Sequence, residues 1–134
     1  MRLTHTATQE TISIEDGFLW SDEFDWKPIE QKQERAIDGT LIVQEGKKKS
    51  GRLMTLVPPD EHQGWVERHI LSKLMDWSAL QDTFVLQFEY PHDTRRFNVI
   101  FNHQDGAIEA KPVKGFPTVN DDEWYSVTLR FVIV

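Results

Sequence analysis

The C-terminal segment sets the strictest limit on what this chain can fold into. Tyr125, Val127, Leu129, Phe131 and Ile133 alternate with Ser126, Thr128, Arg130 and Val132. That period of two turns one side of a β-strand toward a core. It is the longest clean alternation in the sequence and it runs on to Val134. Chain ends fray unless they are tied down, so a strand this apolar has to pair with other strands. The expectation is pairing within its own domain, with a neighbouring subunit as the alternative.

Partner strands are legible upstream. Phe84, Leu86 and Phe88 alternate with Val85, Gln87 and Glu89, and Phe97, Val99 and Phe101 alternate with Asn98, Ile100 and Asn102. Leu53, Thr55 and Val57 stand opposite Met54 and Leu56. Residues 33–44 read as two strands around the Asp38-Gly39 turn, with Leu41 and Val43 on one face. The GKKKSG stretch at 46–51 makes a second turn, and HQDG at 103–106 carries a hairpin signal. Ala107 to Val113 reads as an edge or terminal piece, because Pro112 cannot donate to a ladder. Residues 18–26, FLWSDEFDW, fit neither period and read as a packed loop with one short strand. Residues 1–17, where Ile12 and Ile14 alternate, read as a short edge strand or a flexible arm.

A helical period occurs once. Val66, Ile70, Leu71, Leu74 and Met75 form an apolar stripe, with Glu67, Arg68, Lys73 and Asp76 off it. The spacing predicts a helix over 65–76, with a turn added at 78–81. About seven or eight short strands and one helix make the chain mainly β. The expected architecture is a β-sandwich or split barrel with a flanking helix, in a single domain spanning 1–134.

Composition narrows the function. The chain has 134 residues and no Cys, which excludes disulfide scaffolds, thiolate metal sites and thiol nucleophiles. Its net charge of −7 disfavours nucleic acid, whose phosphates call for a basic surface. No apolar run approaches the ~18 residues of a membrane span, and the N-terminus lacks a signal-peptide stretch. An intracellular protein with no membrane insertion is expected. His62 and His69, near Glu61 and Glu67, lack the spacing of a helical zinc pair. The carboxylate groups at Asp22, Glu23 and Asp25 and at Asp121, Asp122 and Glu123 read as solvated acidic turns rather than calcium or glycosidase sites. No phosphate loop or nucleophile elbow occurs. No catalytic, cofactor-binding or metal-binding residue, and no enzyme, is therefore expected. Charge is unevenly spread: residues 1–30 sum to −5 and residues 31–57 to +3. Such segments suit a head-to-tail contact between identical subunits, with unrelated charges on two solvated faces as the alternative.

Several short motifs then group together. They are Trp20, Asp22, Glu23 and Trp26; Asp38, Gly39, Leu41 and Ile42; and Gly51, Arg52, Met54, Thr55 and Leu56. Trp65, the helix, the Asp-Gly turn, and Tyr125, Val127, Thr128 and Leu129 complete the set. In these features the chain resembles a small family of bacteriophage and prophage tail proteins of the distal-tail or tail-tube kind. It departs from that pattern at Leu53, where proline is expected, and around Arg96-Phe97, where a glycine-rich hairpin is usual. The resemblance implies a virion structural protein of the tail tip, baseplate or tube, made in the bacterial host cytoplasm. It also implies a hexameric ring, with tube, hub or tape-measure proteins as further partners. Trp20, Trp26, Arg52 and Trp65 are the candidate assembly anchors. Core packing is the competing role for each Trp, and a carboxylate such as Glu23 is the competing partner for Arg52. Two other readings stand beside this one. A small carbohydrate-binding module would use exposed, coplanar Trp rings and carboxylates. A hydrolase would need a carboxylate pair in a cleft, at Asp22 or Asp122.

Overall fold

The computed structural model describes residues 1–114 and 123–134. In chain order these form β1 (Arg2–His5), β2 (Thr11–Ser13), β3 (Leu19–Trp20), β4 (Ile29–Arg35), β5 (Leu41–Lys47) and β6 (Arg52–Val57). Then follow β7 (Trp65–Glu67), α1 (Arg68–Ser78), β8 (Phe84–Gln87), β9 (Arg96–Phe101), β10 (Ile108–Pro112) and β11 (Trp124–Ile133). The main sheet is antiparallel in the order β2-β1-β8-β9-β11-β6-β3, with β7 and β10 also on β11. Its ends, β2 and β3, do not pair, so among the described residues no barrel closes. The chain is mainly β with a single flanking helix, consistent with the sandwich alternative.

β11 organises this sheet because it is longer than any neighbour. One edge carries β6 against Leu129–Ile133 and β7 against Trp124–Ser126. The other carries β9 against Phe131–Ile133 and β10 against Tyr125–Leu129. All four partners lie in the same chain, as the intramolecular reading of the terminal strand requires. The HQDG segment does turn the chain, but β9 and β10 do not pair with each other. They lie end to end along β11: the Asn102 amide donates to the Arg130 carbonyl and the Arg130 amide to the Ala107 carbonyl. The length of β11 decides this, since it offers each strand its own stretch of ladder.

The inward face of β11 (Tyr125, Val127, Leu129, Phe131) is buried with Met54, Leu56, Phe84, Leu86 and Val99. Phe84 joins layers: its ring lies 5.1 Å from His5, 5.3 Å from Trp77 and 5.2 Å from Phe101, centroid to centroid. His5 is itself buried, with Nε2 2.7 Å from Asp82 and Nδ1 2.9 Å from Thr8. It ties the β1–β2 turn to the segment entering β8.

Two expectations are corrected. Residues 1–17 are not an arm: β1 lies between β2 and β8, and Met1 and Leu3 belong to the core. Only β2 keeps the predicted edge position. The polar composition misleads because so short a strand turns only two side chains inward, Leu3 and His5, and one of the two is polar. The helix begins at Arg68 rather than 65, because Trp65–Glu67 is taken up as a ladder partner of β11. Glu67 is extended, makes no side-chain cap, and the Arg68 amide goes to the Glu123 carbonyl instead. On the helix Leu74 and Trp77 are buried, whereas Met75 is exposed. No helix among the described residues is long and apolar enough to cross a membrane.

The approach to β7 depends on Gly64. Its φ of +74° is a backbone state L side chains rarely adopt, and a Cβ there would meet Pro58 Cβ at 2.6 Å and Cα at 2.7 Å. The two prolines and this glycine together return the chain to the edge of β11.

β4 and β5 stand apart as a two-stranded sheet of seven residue pairs, Ile29↔Lys47 to Arg35↔Leu41. This hairpin is longer than the 33–44 expected, and every residue of both strands is exposed. Its turn is held by the Gly39 amide on the Ala36 carbonyl and the Ala36 amide on the Thr40 carbonyl. Asp38 Oδ1 accepts from the Thr40 amide at 2.9 Å, and that bond holds the Asp38 carboxyl below its ordinary value.

Candidate functional site

Two surface features could engage a partner: the β4–β5 arm and an open trough beside β3. The register of the arm sorts its side chains. Ile29, Gln31, Gln33, Arg35, Leu41, Val43, Glu45 and Lys47 share one face, and Glu30, Lys32, Glu34, Ile42 and Gln44 share the other. Ile37 stands at the tip, fully exposed. The strands themselves are not basic, since Lys32, Arg35 and Lys47 face Glu30, Glu34 and Glu45 in equal number. The positive charge of residues 31–57 gathers instead at the base of the arm, in Lys47–Lys49 and Arg52.

The trough, about 860 Å³, runs between the 18–24 segment and the 90–95 loop. Phe18, Trp20 and Phe88 supply buried apolar wall. Phe88, Tyr90 and His92 form a stack, with centroids 5.3 and 5.6 Å apart and planes within 20°. Leu19 and Phe24 leave apolar surface open, Phe24 being 93% exposed. Arg95 Nη2 bridges Asp93 Oδ2 at 2.8 Å and Glu23 Oε1 at 2.9 Å, while its Nε reaches Asp93 Oδ1 at 3.0 Å. The hydrogen bonds to Asp93, then Glu23, raise the Arg95 guanidinium still further, and the Arg95 side chain holds the Asp93 carboxyl below its ordinary value. Burial pushes the Tyr90 hydroxyl up, helped by the charges of Asp16 and Asp93.

A pH dependence follows. A carboxyl depressed in the folded state stabilises the fold above its unfolded value of about 3.9 and loses that contribution as acid protonates it. Asp93→Asn should therefore lower the thermal midpoint near neutral pH, and the gap to the parent should narrow as the pH falls below that unfolded value. An equal gap across that range, read by circular dichroism melts, would contradict the role given to the Arg95 pairing.

The four expected anchors divide. Trp20 is buried on β3, with the Arg52 guanidinium 4.6 Å and the Arg95 guanidinium 5.4 Å from its ring centroid. Its Nε1 and the Arg52 Nε are buried without a hydrogen-bond partner. Arg52 does not pair with the Glu23 carboxylate: its Nη2 donates to the Glu23 carbonyl oxygen at 2.6 Å, and the carboxylate goes to Arg95. The backbone turn at 22–25 points that carbonyl back at β6, which composition does not reveal. Trp26 is half-buried near the base of the arm, with the Lys48 ammonium 4.9 Å from its ring centroid. It shares a recess with Arg52. Trp65 belongs elsewhere, in a small recess beside Trp124, their rings 6.5 Å apart. Tyr90, Arg95 and Phe24 were missed by sequence reasoning. The one available signal was the aromatic spacing Tyr90-Pro91-His92 inside an otherwise polar loop.

Both Asp22 carboxylate oxygens are engaged by Thr55, from its amide at 2.8 Å and its hydroxyl at 2.9 Å. Asp121 and Asp122 lie outside the described residues. His62 is 3.7 Å from Glu61 and His69 3.3 Å from Glu67. No cluster of three or more His, Asp or Glu suited to a metal occurs among the described residues. Comparisons with protein-family models, with curated proteins and with solved structures found no match to this chain.

Proposed function

We propose that the protein is a structural subunit that assembles with copies of itself, without catalysis, as a component of a phage tail. The observation that carries this reading is the β4–β5 arm, seven residue pairs long and exposed on both faces, yet bearing Ile29, Ile37, Leu41, Ile42 and Val43. An isolated two-stranded ribbon is marginal in water, so an arm of this length calls for a surface to lie on. Apolar side chains kept in water at such an element are the material of an interface. The resemblance to tail proteins gives the assembly its setting: a ring of about six subunits in the tail tip, baseplate or tube. Tube, hub or tape-measure proteins are its further partners. The sugar-binding alternative asks for exposed Trp platforms, and all five Trp are buried or half-buried.

Native mass, measured by light scattering behind size exclusion at low and high salt, tests the reading. A hexamer-sized species that loosens with salt is expected, because a basic group of the arm and the acidic N-terminal segment meet across copies. A monomer at every concentration and salt would overturn self-assembly.

A further inference from the structure

We propose that the trough between β3 and the 90–95 loop receives the tip of the β4–β5 arm of a second copy of this chain. The inference rests on the assembly reading above and specifies its contact. At about 3.4 Å per residue the arm extends roughly 23 Å. Toward the tip, one of its faces presents Leu41 and Val43 with a single charge, Arg35, and ends on Ile37. The trough is the counterpart of that face. Its wall is largely apolar, with Leu19 and Phe24 open to solvent, and it carries Asp16, Glu23 and Asp93 against Arg95 and the Met1 ammonium 2.7 Å from Asp16, a net excess of one carboxylate. Arg35 of an incoming arm meets an excess of carboxylate there, while Ile37 and Leu41 meet Phe24 and Leu19. The opposite face of the arm carries Glu30 and Glu34 against Lys32, a net negative charge where the first face toward the tip is positive, so the charge pattern also selects which way the arm lies. Arm and trough are different patches of the same chain, so the contact is heterologous and propagates head to tail, the kind that closes into rings.

The absence of cysteine makes the test clean, because introduced thiols are the only ones present. Ile37→Cys protein is mixed with Phe24→Cys protein carrying a tag that shifts its band, then oxidised and run on a non-reducing gel. A disulfide needs the two Cα atoms within about 7 Å, so only docked copies react quickly. The mixed dimer should form roughly a hundredfold faster than in a mixture with Met75→Cys, since docking raises the effective concentration from micromolar toward millimolar. Met75 is a fair control because it is exposed on α1. If Ile37→Cys instead links rapidly to itself, or links to Phe24→Cys no faster than to Met75→Cys, while the parent stays oligomeric, trough docking is overturned and assembly stands. If the parent is a monomer, both fall.

Discussion

Replacing residues 29–47 with Asn-Gly is expected to give a monomer that folds as well as the parent. The Lys48 amide donates to the Pro28 carbonyl at 2.9 Å, which is the closing bond of a two-residue hairpin turn. The excision therefore leaves the chain ends at a distance Asn-Gly spans. It removes no core residue, since both strands are exposed throughout. The domain should keep its urea midpoint while association is lost. Burying Ile37, Leu41 and Val43 contributes about 1.5–3 kcal/mol each before ordering costs. A net of about 4 kcal/mol corresponds to roughly a thousandfold in dissociation constant. Sedimentation across a concentration series reads this directly. An excised protein that still assembles with the parent's affinity would show that the arm is not the interface.

Phe84→Ala should produce the largest loss of stability from a single side chain. Phe84 is fully buried on β8 and packs at once against His5 of β1, Trp77 of α1 and Phe101 of β9. Truncation to Ala leaves a cavity that three separate elements would have to collapse into. Changes of this kind cost about 3–5 kcal/mol, against the roughly 5–15 kcal/mol that holds a small domain folded. His5 would lose its stacking partner while staying tied to Asp82 and Thr8, so it cannot swing in to fill the gap. Urea unfolding followed by circular dichroism and by Trp fluorescence tests this. A loss under about 1 kcal/mol would mean that Phe84 does not join the layers as described.

Strand by strand, much of the sheet is legible in the side chains. The alternations in β6, β8, β9 and β11 are read correctly because a half-buried strand writes its period into its own side chains. Asp38-Gly39 marks the arm's turn, and Pro112 falls at the end of β10, where the missing amide costs least. The helix is legible too, but not its start. Trp65 and Val66 fit a helical stripe as well as they fit a strand, and the free edge of β11 settles the matter. The same long strand overrides the hairpin signal at HQDG by giving β9 and β10 separate stretches of one shared partner.

Where charges and rings meet depends on the folding of distant segments onto one another. Arg95 lies 72 residues from Glu23 in sequence yet bonds to it, and Arg52 reaches a carbonyl rather than the expected carboxylate. Both outcomes depend on how the 18–26 segment folds across β6, and a loop carries no period from which to read that. The arm is the reverse case. Its strands are legible, but nothing in their composition separates a hairpin in a sheet from one standing clear of it. A β-strand's own sequence records which of its faces are alike; whether another layer lies against them is set by the rest of the chain.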